Sequence, residues 1–201
     1  MQAAFLKDKL EPRLAEARAG QRDVYFVDAA HFVLGTFLCY LWTKLRLFVK
    51  AAAGRQRYNV LGAWNAVTNT LVAVTNTTVV NSQTACELLR KIAAQSLGRP
   101  VTLVLDNARY QYCHVVQSLA QQLGIELLFL PSYSPNLNLI ERLWKFTKKT
   151  ALRGRYYANF VEFRAAIDAC LAQLDTTHRP ALTTLMTHNF QTFHNVSLLA
   201  E

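Results

Sequence analysis

The chain is poor in cysteine. Four occur among 201 residues, Cys39, Cys86, Cys113 and Cys170, and none forms a C-x-x-C pair. That scatter argues against a zinc site and a disulfide framework, and fits reduced thiols in a cytosol. Long apolar runs are missing as well. The longest, Ala29 to Trp42, is 14 residues and contains His31 and Thr36, against the roughly 20 needed to span a bilayer. The first twenty residues, MQAAFLKDKLEPRLAEARAG, are charged and lack the apolar stretch of a signal peptide. There is no repeat, no low-complexity segment and no internal domain boundary. These absences predict a soluble cytoplasmic or nucleoid-associated protein. Acid is scarce too, with 13 Asp and Glu against 22 Lys and Arg and a net charge of +9. Such an excess points to a polyanionic partner, nucleic acid first, with a plain solubility charge as the alternative. Apolar residues make up 52% and charged residues 17%, the balance of one folded domain with a real core.

The pattern along the chain divides in two. Residues 3 to 18 read as a helix interrupted by Pro12, and residues 1–22 as a helical connector. Val24 to Val27 is a short buried strand ending at Asp28. Phe32 to Trp42 reads as a second strand, with Leu45 to Lys50 beside it. Arg57 to Ala66 and Thr70 to Thr77 form a hairpin turning at Thr68-Asn69. The period then changes. Thr84 to Gln95 is an amphipathic helix capped by Ser82 or Thr84 and stopped by Gly98. Val101 to Leu105 is an apolar strand, Arg109 to Leu123 a helix ended by Gly124, and Ile125 to Leu130 a second apolar strand. A loop over Pro131 to Pro135 leads to a helix from Leu137 to about Thr150, and another helix covers Phe160 to Leu174. Apolar strands alternating with helices imply parallel pairing. The expected fold is α/β and ribonuclease-H-like: a mixed five-stranded sheet, an antiparallel meander plus parallel strands, with helices on both faces. The domain is expected over 23–190, followed by a tail over 191–201.

Because acids are few, their positions carry information. Asp28 directly follows the apolar run Val24 to Val27, and Asp106 the strand-like segment Val101 to Leu105, apolar but for Thr102. A carboxylate approached by buried chain needs a partner, a metal or a cation, and in a sheet of this kind ligands gather at the carboxyl ends of the parallel strands. Glu141 follows Asp106 after 34 intervening residues and lies on a stripe with Leu137, Trp144 and Lys148. Each acid also has a plainer reading. Asp106 could cap the helix before Arg109, Asp28 could sit in an ordinary strand-end turn, and Asn138-x-x-Glu141 fits a capping box. Read together, three carboxylates could hold two Mg²⁺ (or Mn²⁺) ions about 3.5–4 Å apart against a phosphodiester.

The segments VDAAHF, LVLDNARYQ and LPSYSPNLNLIERLWKFTKK resemble the three signature blocks of the DDE transposases, specifically the mariner superfamily and allied bacterial insertion sequences. Y-S-P-x-L-N-x-I-E is the most specific block. The resemblance runs from about Asp23 to Phe190. It implies that Asp28, Asp106 and Glu141 are the catalytic, metal-binding acids. It implies that Asn107 and Asn138 orient them, and that Tyr133, Ser134, Pro135 and Leu137 shape the loop presenting Glu141. It further implies strand cleavage at transposon ends, strand transfer into target DNA at a TA dinucleotide, and a homodimer in the active complex. This chain has Leu139 where family members usually carry Pro, and it is expected to be the catalytic part without the helix-turn-helix region that reads transposon ends.

Arg142, Lys145, Lys148, Lys149, Arg153 and Arg155 lie within 14 residues, interleaved with Trp144, Tyr156 and Tyr157. Such a segment can track double-stranded DNA while its aromatics stack or pack. A solvated basic face with Trp144 in the core is the plainer alternative. Lys44, Arg46, Lys50, Arg55 and Arg57 make a second basic cluster. Of the histidines, His31 is near the site but reads as structural, and none shows metal-ligand spacing. Two other functions stay open: a catalytically silent DNA-binding remnant of a transposase, and another ribonuclease-H-like nuclease acting on junctions or RNA–DNA hybrids.

Overall fold

The computed structural model describes residues 1–35, 44, 56–96 and 98–191. Its frame is a five-stranded sheet in the order β3-β2-β1-β4-β5. The strands are β1 (Asp23–Val33), β2 (Arg57–Asn65), β3 (Leu71–Asn76), β4 (Val101–Leu105) and β5 (Ile125–Phe129). β1 pairs antiparallel with β2, and β2 with β3, whereas β1, β4 and β5 run parallel. The expected hairpin is present. Asn69 takes a left-handed φ of 57° at its turn, and the Asn65 carboxamide oxygen accepts from the backbone N–H groups of Val67 and Thr68. An Asx turn of this kind sets where the meander reverses.

Side chains alternate across the sheet and so build two core layers. Val24, Phe26, Phe32, Val60 and Trp64 face one layer, with Leu10, Leu14, Ile140, Leu143, Trp144 and Ile167. Tyr25, Val27, Leu61, Leu103 and Leu105 face the other, with Leu88, Ile92 and Val116. Full burial of each such side chain contributes about 1.5–3 kcal/mol. The first layer is covered by α1 (Gln2–Phe5), a π-turn over Leu6–Leu10, α2 (Glu11–Arg18), α5 (Ile140–Thr147), α6 (Phe160–Ala172) and α7 (Arg179–Leu185). The second is covered by α3 (Ser82–Gln95) and α4 (His114–Gln122). Leu10 and Leu14 are fully buried, so residues 1–22, expected to connect, form part of the core. Among the described residues no helix is long and apolar enough to cross a membrane.

Four expectations shift, each for a local reason. β1 does not stop at Asp28 but runs on to Val33, because β2 pairs along that whole length. The cap of α3 is Asn81, which exchanges hydrogen bonds with Thr84 in a capping box. α4 starts at His114, not Arg109, since residues 106–113 are spent in turns closed on the Ala108 carbonyl. α5 starts at Ile140 because Pro135–Leu137 is a separate 3₁₀ turn, and it passes into a π-turn over Lys148–Leu152. Most of the expected strands at Phe32 to Trp42 and Leu45 to Lys50 lie outside the described residues. Phe32 and Val33 belong to β1.

Candidate active site

The parallel register brings the first two acids together. β1 and β4 pair from Asp23 opposite Val101 to Phe26 opposite Val104, an offset of 78 residues. The same offset places Asp28 against Asp106. Pairing ends just before both, so the strands open at this point while β1 stays anchored to β2. Asp28 shares the face of Phe26 and Phe32, the face on which α5 lies. α5 supplies Glu141 in its first turn. The three carboxylates line one cleft of about 370 Å³ with Asn107, Asn138 and the loop from Leu130 to Pro135. The three acids singled out in the sequence thus reach one cleft from three separate elements.

The plainer readings of the acids do not fit this geometry. Asp106 caps no helix: its carboxylate accepts from the Ala108 N–H at 3.2 Å, within a turn, and α4 begins later. Asp28 is inside a strand. Asn138 and Glu141 form no capping box, because α5 has no side-chain cap. The Asn138 amide instead donates to the Val27 carbonyl at 3.1 Å, tying the start of α5 to the strand that carries Asp28. Asn138 Oδ1 is buried without a partner, the kind of acceptor a site component can use.

The electrostatics are unfavourable for bare charge. Burial pushes the Asp28 carboxyl up to about 7 from 3.8, and the Glu141 charge, then that of Asp106, adds to the rise. The Ala29 N–H and the Trp144 indole pull the other way. The nearby Tyr110 hydroxyl is also pushed up, by burial and by the Asp106 charge. Among the described residues, none that lines the cleft is basic. Among the described residues, no three His, Cys, Asp or Glu side chains are gathered closely enough to share one ion as they stand. The carboxylates line the walls of an open cleft around a volume where charge compensation is wanted.

Two contacts to the aspartates are not visible in the sequence. Gln111 is buried, and in the amide orientation that satisfies both its ends it donates to Asp106 Oδ1 at 2.7 Å and to the Asp106 carbonyl at 3.1 Å. It does for Asp106 what is expected of Asn107 from the sequence. Asn107 instead donates to the Leu130 carbonyl at 2.8 Å and holds the cleft wall. The signal for Gln111 is weak: an uncharged side chain five residues past Asp106, in a segment whose pattern reads as helix. Trp144, the second, is buried beneath the site, 3% exposed.

The loop before Glu141 buries two of its residues and exposes a third. Ser134 and Leu137 are buried. Tyr133 is 97% exposed at the cleft rim, with a left-handed φ of 56°, a conformation uncommon and costly for a bulky residue. The basic segment is split. Lys145, Lys148, Lys149, Arg153 and Arg155 are exposed. Arg142 is not available in the same way: its guanidinium donates to the carbonyls of Leu185, Thr187 and Asn189 at 3.1, 2.7 and 2.7 Å, strapping the segment after α7 to α5. The expected stripe ends before Lys148, where the π-turn breaks the helical period. Trp144 is core rather than a DNA-stacking side chain, and Tyr157 packs on Phe163. Of the second basic cluster, Lys44 and Arg57 are exposed, and Arg46, Lys50 and Arg55 lie outside the described residues.

Comparison with known proteins agrees with this geometry. The family model described as DDE superfamily endonuclease matches residues 23–164. An uncharacterized protein of Sinorhizobium fredii (y4pE/y4sA) is 35% identical over 63 residues, 31% of this chain and 44% of that protein. The pre-cleavage Mos1 transpososome superposes with a TM-score of 0.61 at 13% identity, over 96% of this chain and 63% of that one. The Mos1 transposase catalytic domain with Raltegravir and Mg gives 0.57 at 13% identity, over 96% and 97%. The HTLV-2 integrase catalytic core domain with magnesium gives 0.52 at 12% identity, over 77% and 86%. At such identities the likeness is one of fold, and it bears out the mixed, ribonuclease-H-like sheet. The chain spans less than half of the curated relative it matches and under two thirds of the Mos1 chain in the transpososome. The family match runs through Asp28, Asp106 and Glu141, the three acids that the fold brings to one cleft, and the chain belongs to the DDE superfamily endonucleases.

Proposed function

We propose that this chain is the catalytic part of a transposase, which cuts a DNA strand at a transposon end and joins the freed 3′-OH to target DNA. The observation that carries the reading is the convergence of Asp28, Asp106 and Glu141 on one open cleft with no basic residue among the described ones that line it. Three carboxylates lining one cleft, one of them with its carboxyl forced up to about 7, are a hard-oxygen donor set suited to Mg²⁺ or Mn²⁺. Asp28, Asp106 and Glu141 would hold the ions, two by the requirement of in-line phosphoryl chemistry. Divalent ions bound there supply Lewis acidity and a water acidified enough to attack phosphorus. The chain's own groups then do the positioning. Gln111 fixes the Asp106 carboxylate, Asn138 fixes α5 on β1, and the rim at Tyr133 leaves the cleft open to a duplex backbone. Water adds to the phosphorus and the bond to the 3′ oxygen breaks, leaving a 3′-OH and a 5′-phosphate. The 3′-OH then attacks a target phosphodiester, displacing another 3′ oxygen, so the number of ester bonds is conserved in the second step.

The exposed cations after Glu141 suit the DNA backbone. The similar fold of proteins described as a Mos1 strand transfer complex and as a dimeric HTLV-2 integrase core with magnesium supports double-stranded DNA and a homodimer as the working state. The test is Asp106→Asn, assayed for Mg²⁺-dependent nicking of a duplex with circular dichroism as the folding control. A loss of about a thousandfold, equivalent to about 4 kcal/mol of barrier, is expected with the fold intact. A folded variant that cuts as well as the parent would remove the assignment.

A further inference from the structure

The strand opposite Asp28 carries a glycine where the sheet gives no backbone reason for one. Gly62 is paired directly with Asp28 and sits mid-strand in β2, between Leu61 and Ala63, without a left-handed φ. A glycine there marks the close approach of something else. The approaching group is the indole of Trp144. A Cβ at position 62 would stand 2.7 Å from Trp144 Cη2 and 2.9 Å from Cζ2, closer than side chains tolerate.

The ring is therefore laid over the residue beside Asp28, on the same face of the sheet. Phe32 fixes it from the side, edge to face, with ring centroids 6.5 Å apart at 84°. Its Nε1 is buried and closes no hydrogen bond of normal geometry, which is rare for an indole in a core. The carboxylate that this N–H favours in its charged form is that of Asp28. Trp144 also lies three residues beyond Glu141, one turn along α5, so one rigid element supplies both Glu141 and the group facing Asp28.

We propose that Trp144, seated on Gly62, is a positioning residue for the Asp28 carboxylate and fixes it relative to Glu141 through α5. The inference rests on the reading of Asp28 as a metal ligand. With the site loaded, the indole N–H would hold one carboxylate oxygen of Asp28 in place, and the bare floor at Gly62 sets how near the ring can lie. Neighbours that orient a ligating carboxylate typically change metal affinity by about 10–100-fold when removed.

Calorimetric titration of Mn²⁺ into the full chain, with thermal melting as the folding control, tests this. Trp144→Phe removes the N–H together with the ring atoms over Gly62, and is expected to weaken Mn²⁺ binding about tenfold. Gly62→Ala, which displaces the ring, is expected to cause a similar loss in the parent. In the Trp144→Phe background it should cause almost none, since the atoms it would strike are gone. Replacement of Trp144 by benzothienylalanine keeps the double ring and loses only the N–H, so it serves if the Phe variant does not fold; the same loss of affinity is expected. Unchanged Mn²⁺ affinity in a folded variant without the N–H overturns the proposal, as do losses from the two substitutions that simply multiply. Asp28→Asn separates the two levels. If it binds Mn²⁺ like the parent, the metal reading itself fails; if it abolishes binding while the Trp144 variants keep it, only the positioning role fails.

Discussion

β1 carries one acid near each end of its parallel pairing, and the two meet opposite environments. Asp23, at the start of the strand, is buried against Arg99 at 3.1 Å and accepts from the Asn65 amide. At the same end of the sheet Glu126, on β5, takes hydrogen bonds from Arg13, Arg22 and Thr102, and the Arg13 guanidinium above all holds its carboxyl below the usual carboxylate range. Arg22 also reaches Glu16. At this end each of these carboxylates has a cation. Five residues further along the same strand, Asp28 shares its cleft with Asp106 and Glu141 and, among the described residues, with no basic side chain, and its carboxyl is driven up to about 7. A fold that neutralises acids so thoroughly at one edge, and at the other gathers three with no cation among the described residues, has closed the first edge and kept the second for a ligand. The difference is one of partners, since strand, sheet and residue type are shared.

The largest test of that contrast is the pH dependence of the protein without metal. A carboxyl at 3.8 when unfolded and at about 7 when folded disfavours the fold once it ionises. Its effect is absent below pH 4, grows as pH rises from 4 to 7, where the folded chain holds a proton that the unfolded chain has released, and is constant above 7. The full penalty is at most about 4 kcal/mol. Asp28→Asn should therefore melt several degrees higher than the parent at pH 8 in EDTA and nearly level with it at pH 4. Added Mg²⁺ should narrow the gap by stabilising only the parent. Melting curves of parent and variant that run parallel across this range would break the contrast.

The opposite sign is expected at the closed edge. Asp23→Asn removes a nearly buried charge from Arg99, which is about half exposed. Solvent therefore screens the arginine left behind, and the cost is about 1–2 kcal/mol. It should appear as a lower melting temperature at pH 7, with Mg²⁺-dependent nicking unchanged. Loss of nicking without loss of stability would mean that both edges serve the reaction.

These two edges are unequally legible in the sequence. Asp28, Asp106 and Glu141 stand out because an acid after a long apolar run is rare in a chain with so few acids, and because the block around Glu141 is specific. The mixed character of the sheet, a meander followed by parallel strands, follows from the change of period near residue 80. The paired edge is not legible: Arg13, Arg22, Arg99, Asp23 and Glu126 come from distant segments, and only the packing of α2 on the sheet joins them. The contacts made by Gln111 and Trp144 are hidden for a similar reason. Gln111 falls in a stretch patterned like the helix that starts after it, and Trp144 depends on Gly62, a residue 82 positions away whose meaning appears only in the register of β2 against β1. The start of α5 escapes a sequence reading because Asn138, a good cap by type, spends its amide on Val27 instead.

The smallest effect on stability, and the sharpest division among the cations, is expected along the segment after Glu141. Arginine at the closed edge is committed to acids, and Arg142 to three carbonyls. Lys145, Lys148 and Lys149 are exposed, and no ion pair among the described residues includes them. Lys145 lies one turn from Glu141, on the same side of α5. Replacing the three lysines by Ala should leave the melting temperature within a degree or two, since exposed unpaired charges contribute little. Affinity for duplex DNA should fall, and the slope of log K against log salt should flatten by about 0.9 for each phosphate that is no longer neutralised. Arg142→Ala should do the reverse, lowering the melting temperature by freeing the segment at residues 185–189 while leaving the salt slope where it was. A flatter slope in Arg142→Ala, or an unchanged slope in the triple lysine variant, would place the DNA backbone on a different face from the one that runs out of the cleft along α5.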